Sequence, residues 1–161
     1  MSSEPRPLFI YGTLCALPLL AWAMTGEITK IDEVRPLLRK AMVHGYKRCS
    51  LHGRDYPAAI QDTGSSVDGY LLAPQTTSQR RKLDDFEGET YKITQVMVTI
   101  LDNDGQPTGD IVEADMYVWD QDLDTVSLEA PWDLDTFVRE RLEDWLDLFE
   151  GIELVGDDID D

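Results

Sequence analysis

The stretch Phe9-Ile10-Tyr11-Gly12-Thr13-Leu14 reads as an apolar strand running into a glycine turn, and Cys15-Ala16-Leu17-Pro18-Leu19-Leu20 after it can open a helix. A strand that ends in glycine just ahead of a helix leaves backbone N–H groups pointing off its tip, a concavity suited to an anion such as a carboxylate. Around this turn, Leu8 to Tyr11 make the first strand. Leu14 to Met24 are apolar on nearly every side, which fits a buried helix or a covering segment, with Pro18 tolerable in a first helical turn.

Residues 26–36 carry mixed signals of loop or short helix. From Ala41 to Leu51, Met42, His44, Tyr46 and Arg48 alternate with Val43, Gly45, Lys47 and Cys49, the period of a strand. Asp55 to Ile60 is short and extended, with Pro57 pointing to an edge or a bend. The cluster Asp62-Thr63-Gly64-Ser65-Ser66 predicts a turn, and Val67 to Leu72 another strand, in which Gly69 marks a bulge or a close approach. Thr76-Thr77-Ser78 offers N-caps for a helix over Gln79 to Phe86 that stops near Gly88. Tyr91 to Leu101 and Ile111 to Trp119 flank Asn103-Asp104-Gly105 as a hairpin. Asp135 to Phe149 predicts one helix with a stripe of Val138, Leu142, Trp145 and Phe149. Together these give one α+β domain over residues 1–161 with short antiparallel strands and about three helices, its core near 7–150 and a loose acidic tail at 151–161.

At 161 residues and 42% apolar, the chain can bury a real core. Its 32 acidic and 14 basic residues give a net charge of −18, which disfavours nucleic acid and anionic membrane surfaces as partners and favours solubility. Two cysteines make no disulfide framework, the N-terminus lacks a signal-peptide pattern, and no apolar run approaches the ~20 residues that span a bilayer, so a cytoplasmic location is expected.

The helix before Gly88 holds the second chemical feature. Leu83 and Phe86 define its inward face, and Glu87 falls on or beside that face, whereas Asp84 and Asp85 point elsewhere. Partial burial, the neighbouring acids and the helix C-terminus would all raise the pKa of Glu87, as a general base near neutral pH requires. The plain alternative is an end-of-helix residue that only brushes the core. Cys15 near a helix N-terminus, with His44 or His52 as base, is a weaker candidate nucleophile, since cysteine is also a common buried hydrophobe. The two histidines match no usual metal spacing, and Trp22, Trp119, Trp132 and Trp145 read as core aromatics.

With these features in place the chain resembles the gamma-glutamylcyclotransferase-like family. The resemblance is carried by Phe9-Ile10-Tyr11-Gly12-Thr13-Leu14 and, about seventy residues later, Leu83-Asp84-Asp85-Phe86-Glu87-Gly88 with Tyr91 following. Gly45-Tyr46, Tyr56-Pro57-Ala58 and Val67-Asp68-Gly69-Tyr70-Leu71-Leu72 lie between them in the family's order, so that the match spans roughly residues 7–120. The resemblance implies a small antiparallel-rich mixed β-barrel flanked by helices, with the pocket at its mouth. It implies that Tyr11, Gly12, Thr13 and Leu14 hold a substrate α-carboxylate through backbone N–H groups, that Glu87 is the acid/base, and that Tyr91 lies close to the pocket. One position departs from the family: Ile93 stands where a basic residue is common, and Lys92, one place earlier, belongs to the opposite strand face.

The implied reaction closes a γ-glutamyl group to 5-oxoproline, an acyltransferase-type intramolecular cyclisation that releases an amine or amino acid and needs neither metal nor organic cofactor. Two other readings stand beside it. One is a catalytically silent member that binds a small carboxylate or a protein partner, the other acyl transfer through Cys15. The sequence does not choose among γ-glutamyl leaving groups or indicate an oligomeric state.

Overall fold

The computed structural model of the protein describes residues 6–52, 54, 56–87, 91–120, 124, 126–127 and 132–150, the side chains of 87 and 148–150 excepted. The apolar triplet Leu8–Ile10 forms β1, and none of its three residues is more than 2% exposed. Burial on both faces needs a partner on each edge and cover on each side. β1 pairs antiparallel with β3 (Pro57–Leu72), Leu8 opposite Leu72 and Ile10 opposite Tyr70, and parallel with β5 (Pro107–Trp119), Leu8 opposite Asp115.

β5 runs antiparallel to β4 (Tyr91–Leu101) along nearly all of its length. β4 meets β2 (Leu38–Leu51) through Ala41 opposite Ile100 and Met42 opposite Thr99, and β2 then returns to β3. The circuit β3-β1-β5-β4-β2-β3 is therefore a mixed barrel, loosely closed where β2 touches β4, and β6 (Val126–Ser127) extends it beyond β2.

Alternation along the strands fills the barrel. Phe9, Val43, Val67, Leu71, Val96, Val98, Ile100, Ala114, Met116 and Val118 form one buried cluster. On the other face of β1, Leu8 and Ile10 pack with Leu20, Trp22 and Met24 of α1 (Leu17–Thr25), Leu83 of α3 (Thr77–Glu87) and Tyr117. Each fully buried Leu, Ile or Phe contributes about 1.5–3 kcal/mol, so the short β1 is held mainly by its side chains. The segment 14–24 is thus a buried helix preceded by a 3-10 turn over Thr13–Cys15. Residues 26–36 hold the short helix α2 (Ile31–Val34) and run into a second 3-10 turn, Arg35–Leu37.

Several expectations need correction. Residues 62–66 do not reverse the chain. β3 is continuous, and its register against β2 jumps from Ser66 opposite His44 to Gln61 opposite Tyr46, so residues 62–65 bulge out opposite Gly45. The turn chemistry is still visible locally, since Asp62 accepts hydrogen bonds from Gly64 N and Ser65 Oγ. β2 and β5 begin earlier than expected, at Leu38 and Pro107, β1 ends one residue sooner, at Ile10, and the described residues hold five α-helices where about three were expected.

The helix expected over 135–149 is two, α4 (Leu134–Glu140) and α5 (Leu142–Glu150), parted at Arg141, whose φ of −126° breaks the helical run. Asp133 caps α4 by accepting from Thr136 N and Oγ1, which holds its carboxyl below the usual carboxylate range. Because of the break, Phe137 is the buried residue and Val138 is 43% exposed. Phe149, as a side chain, and the acidic segment 151–161 lie outside the described residues.

At Gly69 the expected close approach is found: an added Cβ would stand 2.2 Å from the backbone oxygen of Ile10 and 3.1 Å from Cζ of Phe9. Gly69→Ala therefore pushes β1 off β3, and we expect a loss of at least about 2 kcal/mol of stability, read as a lowered calorimetric unfolding temperature. An unchanged transition would show that β1 is not pinned there.

Candidate functional site

β1 ends where the chain leaves the barrel. Tyr11 remains buried, Gly12 is extended at φ −121° and ψ −137°, and the 3-10 turn begins at Thr13. Within that turn Cys15 N donates to Gly12 O and Ala16 N to Thr13 O. The first N–H groups of such a turn have no acceptor inside it, and among the described residues no side-chain cap is found. Gly12 is required by its neighbour, because a Cβ there would lie 2.9 Å from Cγ of Pro57.

The turn forms one wall of a cleft of about 320 Å³, counted out to its open mouth, with room inside for little more than a water. Tyr11, Gly12, Thr13 and Leu14 line it together with Tyr56, Pro57, Tyr91 and Tyr117. The structure thus brings the four turn residues together with Tyr91. That tyrosine donates its hydroxyl to Pro57 O at 2.7 Å, and its ring sits among those of Tyr56, Tyr117 and Trp119. Trp145 of α5 meets Tyr56 edge-on, so the C-terminal helix buttresses this aromatic wall.

α3 packs against the turn, with Leu83 wholly buried in the cluster that holds Ile10, Leu14 and Tyr117. Thr76 Oγ1 accepts from Gln79 N at its start, and its last residue is Glu87. The side chain of Glu87, with the expected rise in its pKa, lies outside the described residues, as does Gly88. Asp85 is exposed. Asp84 needs correction: it does not simply point away, because its Oδ1 accepts from the Tyr117 hydroxyl at 2.5 Å and from Arg80 Nε at 3.0 Å. Arg80 also reaches Asp115 at 3.0 Å, and Asp115 meets Arg6 at 2.9 Å. Burial alone would lower the pKa of Arg80, but its bond to Asp84, with Asp84, Tyr117 and Asp115 around it, holds the guanidinium above its ordinary value.

Sequence reasoning passed over two further residues. Tyr117 sits in the alternating run of β5, and its carbonyl accepts from the Tyr11 hydroxyl. Arg48 lies behind the turn, where Nη1 donates to Tyr11 O and Asp68 O, both at 3.0 Å, and Nη2 pairs with the Asp68 carboxylate at 2.9 Å. The available signal was its place on the face of β2 that alternates with Val43 and Cys49. Ile93 pairs with Tyr117 on the same sheet face and is 51% exposed, while Lys92 is exposed on the other.

Cys15 donates its thiol to Ile10 O, Cys49 is buried and its thiol is pushed up by that burial, and neither cysteine forms a disulfide among the described residues. His44 and His52 are exposed, and among the described residues no three His, Cys, Asp or Glu side chains gather as a metal site. Among the described residues no helix is long and apolar enough to cross a membrane.

A family model described as "Gamma-glutamyl cyclotransferase, AIG2-like" matches residues 8–136. An AIG2-like protein C of Arabidopsis thaliana is 28% identical over 139 residues, 86% of this chain and 73% of its own. A protein AIG2 C of the same plant is 25% identical over 150 residues, covering 92% and 82%. In fold, the chain is similar to two solution structures of Arabidopsis thaliana proteins. The first has a TM-score of 0.60 at 22% identity over 94% of this chain and 85% of the other. The second has 0.59 at 22% identity over 92% and 91%.

Removing Arg48 frees a buried carbonyl at the root of the turn. Arg48→Ala should lower stability by about 1–2 kcal/mol, and Arg48→Lys should recover only part of it, because an ammonium lacks the planar fork that spans these acceptors. The urea midpoints of the two variants check this; equal midpoints for Ala and Lys would mean the fork is not what holds the turn.

Proposed function

The chain belongs to the AIG2-like gamma-glutamyl cyclotransferase family, and we propose that it is an active cyclotransferase that converts a γ-glutamyl compound to 5-oxoproline with release of an amine or amino acid. The observation that supports this reading is the burial of Leu83 of α3, the helix whose last residue is Glu87, in one cluster with Ile10 and Leu14, beside a cleft lined by the turn Tyr11–Leu14.

In the proposed mechanism the substrate's α-carboxylate lies against the backbone N–H groups of Gly12, Thr13 and Leu14. Its recognition then needs no basic side chain, which suits a chain of net charge −18. Tyr11 and Tyr91 shape the cleft, and the substrate curls so that its own α-amine faces its γ-carbonyl. The amine is mostly protonated at neutral pH, its pKa being about 8. Glu87 removes that proton and passes it to solvent, the nitrogen attacks the γ-carbon and gives a second proton to Glu87, the bond from that carbon to the leaving nitrogen breaks, and Glu87 delivers this second proton to the departing amine. Both reacting groups belong to one molecule, so the protein's main task is to hold the curled conformer. Effective molarities of roughly 10⁵ M or more are reached by well-oriented pairs. Turn N–H groups near the developing oxyanion would stabilise it further.

Ile93 favours a second reading, a family member that binds a small carboxylate without turning it over, since this residue opposite Tyr117 stands where the resemblance implies a basic side chain. A panel of γ-glutamyl dipeptides, γ-glutamylamines and glutathione decides between the two. Release of 5-oxoproline supports the enzyme, and ligand binding with no product supports the silent member. For the enzyme, Glu87→Gln should keep the fold and lower turnover by about a thousandfold. Wild-type turnover in that variant would remove Glu87 from the mechanism.

A further inference from the structure

Tyr117 lines the cleft and has two polar groups, one bonded towards the turn and the other towards α3. Its carbonyl accepts from the hydroxyl of Tyr11, the residue that leads into the turn. Its hydroxyl donates to Asp84, one helical turn before Glu87 on α3. Asp84 is itself fixed, since Arg80, four residues earlier on the same helix, donates to the same oxygen and reaches across to Asp115 on β5. Asp115 is closed from the far side by Arg6. A single run of hydrogen bonds therefore passes from the turn, through Tyr117, to α3 and back to the sheet.

The energetics point to geometry as its purpose. Arg80 and Asp115 keep only 12% and 9% of their side-chain surface exposed. Desolvating two charges offsets most of their attraction, so an apolar contact of the same volume would serve stability as well or better. What the ionic run provides is a fixed rotation of α3 about its axis. Apolar contact at Leu83 and the half-buried Phe86 tolerates rolling of α3, and the directional bonds to Asp84 restrain it.

Resting on the cyclotransferase reading, we propose that Asp84 is a positioning residue, which through the Tyr117 hydroxyl sets the angle at which the end of α3 presents Glu87 to the turn. It touches no reacting atom. Its removal lets α3 move independently of the turn, and a displacement of about 1 Å between acid/base and substrate costs up to a hundredfold in rate.

The test compares wild type with Asp84→Ala, Asp84→Asn, Tyr117→Phe and the double variant Asp84→Ala/Tyr117→Phe. Two quantities are read: 5-oxoproline release from the γ-glutamyl panel, and amide exchange at residues 12–14 and at the end of α3. Asp84→Ala and Tyr117→Phe should each lower kcat about ten- to a hundredfold with little change in KM. The double variant should fall no further than the worse single one, because both break the same link. Asp84→Asn should recover most of the rate, since its amide oxygen still accepts from Tyr117. Losses that multiply, losses confined to KM, or an Asn variant no better than Ala would overturn the proposal. If wild type releases no 5-oxoproline, the reaction itself is misread, and exchange alone judges the link. Faster exchange at both the turn and α3 in either single variant supports it; faster exchange at only one of them, or at neither, overturns it.

Discussion

β1 is three residues long, and the barrel closes through it. It lies between an antiparallel and a parallel neighbour, apolar on both faces, so its position is fixed by barrel core on one side and by α1 and α3 on the other. A strand held this way cannot slide without moving Phe9 out of the barrel or Ile10 out of the helical layer. The turn at Tyr11–Leu14 inherits that fixity. It projects from the most deeply held point of the sheet, and Pro57, Arg48 and Tyr117 then meet it from three directions. Backbone N–H groups are useful as ligand donors only when the backbone cannot relax away from them, and here the fold itself supplies that rigidity.

The helix and the turn are brought together by different means. The turn is built on covalent continuity with β1, whereas α3 arrives from the far end of β3 and must be docked. Leu83 supplies the attraction, and the ion pairs around Arg80 supply the orientation. Apolar burial is strong and nearly indifferent to angle; charged hydrogen bonds add little net stability and are highly directional.

Much of this was legible in the sequence where local pattern and tertiary role agree. β4 and its hairpin follow from alternation between turn residues, α3 from its cap and period, and the turn after β1 from Tyr11-Gly12-Thr13-Leu14 itself. The failures arose where a long-range partner overrides a local signal. Asp62 to Ser66 has every mark of a turn, yet the ladder resumes on both sides and absorbs four residues as a bulge. Val138 fits an uninterrupted period, but Arg141 resets the helix and the stripe passes to Phe137. Asp84 was set aside because it leaves the Leu83 face. Nothing local indicates that Tyr117, thirty-three residues on, supplies the hydroxyl it meets. The pairing of Arg80 with Asp84 at helical spacing was the one clue available.

Under the proposed function, recognition of a carboxylate by main-chain amides would also have a kinetic side. An anion approaching a molecule of net charge −18 is repelled until it comes within a few ångströms of the turn, where the fixed N–H dipoles take over. Long-range repulsion is screened over roughly 10 Å at 0.1 M salt, while contact with the amides is screened much less. On that reading, added salt would speed capture of an anion at this turn with little loss of hold. A site built on surface lysines and arginines would behave in the opposite way, its encounter rate falling as salt rises.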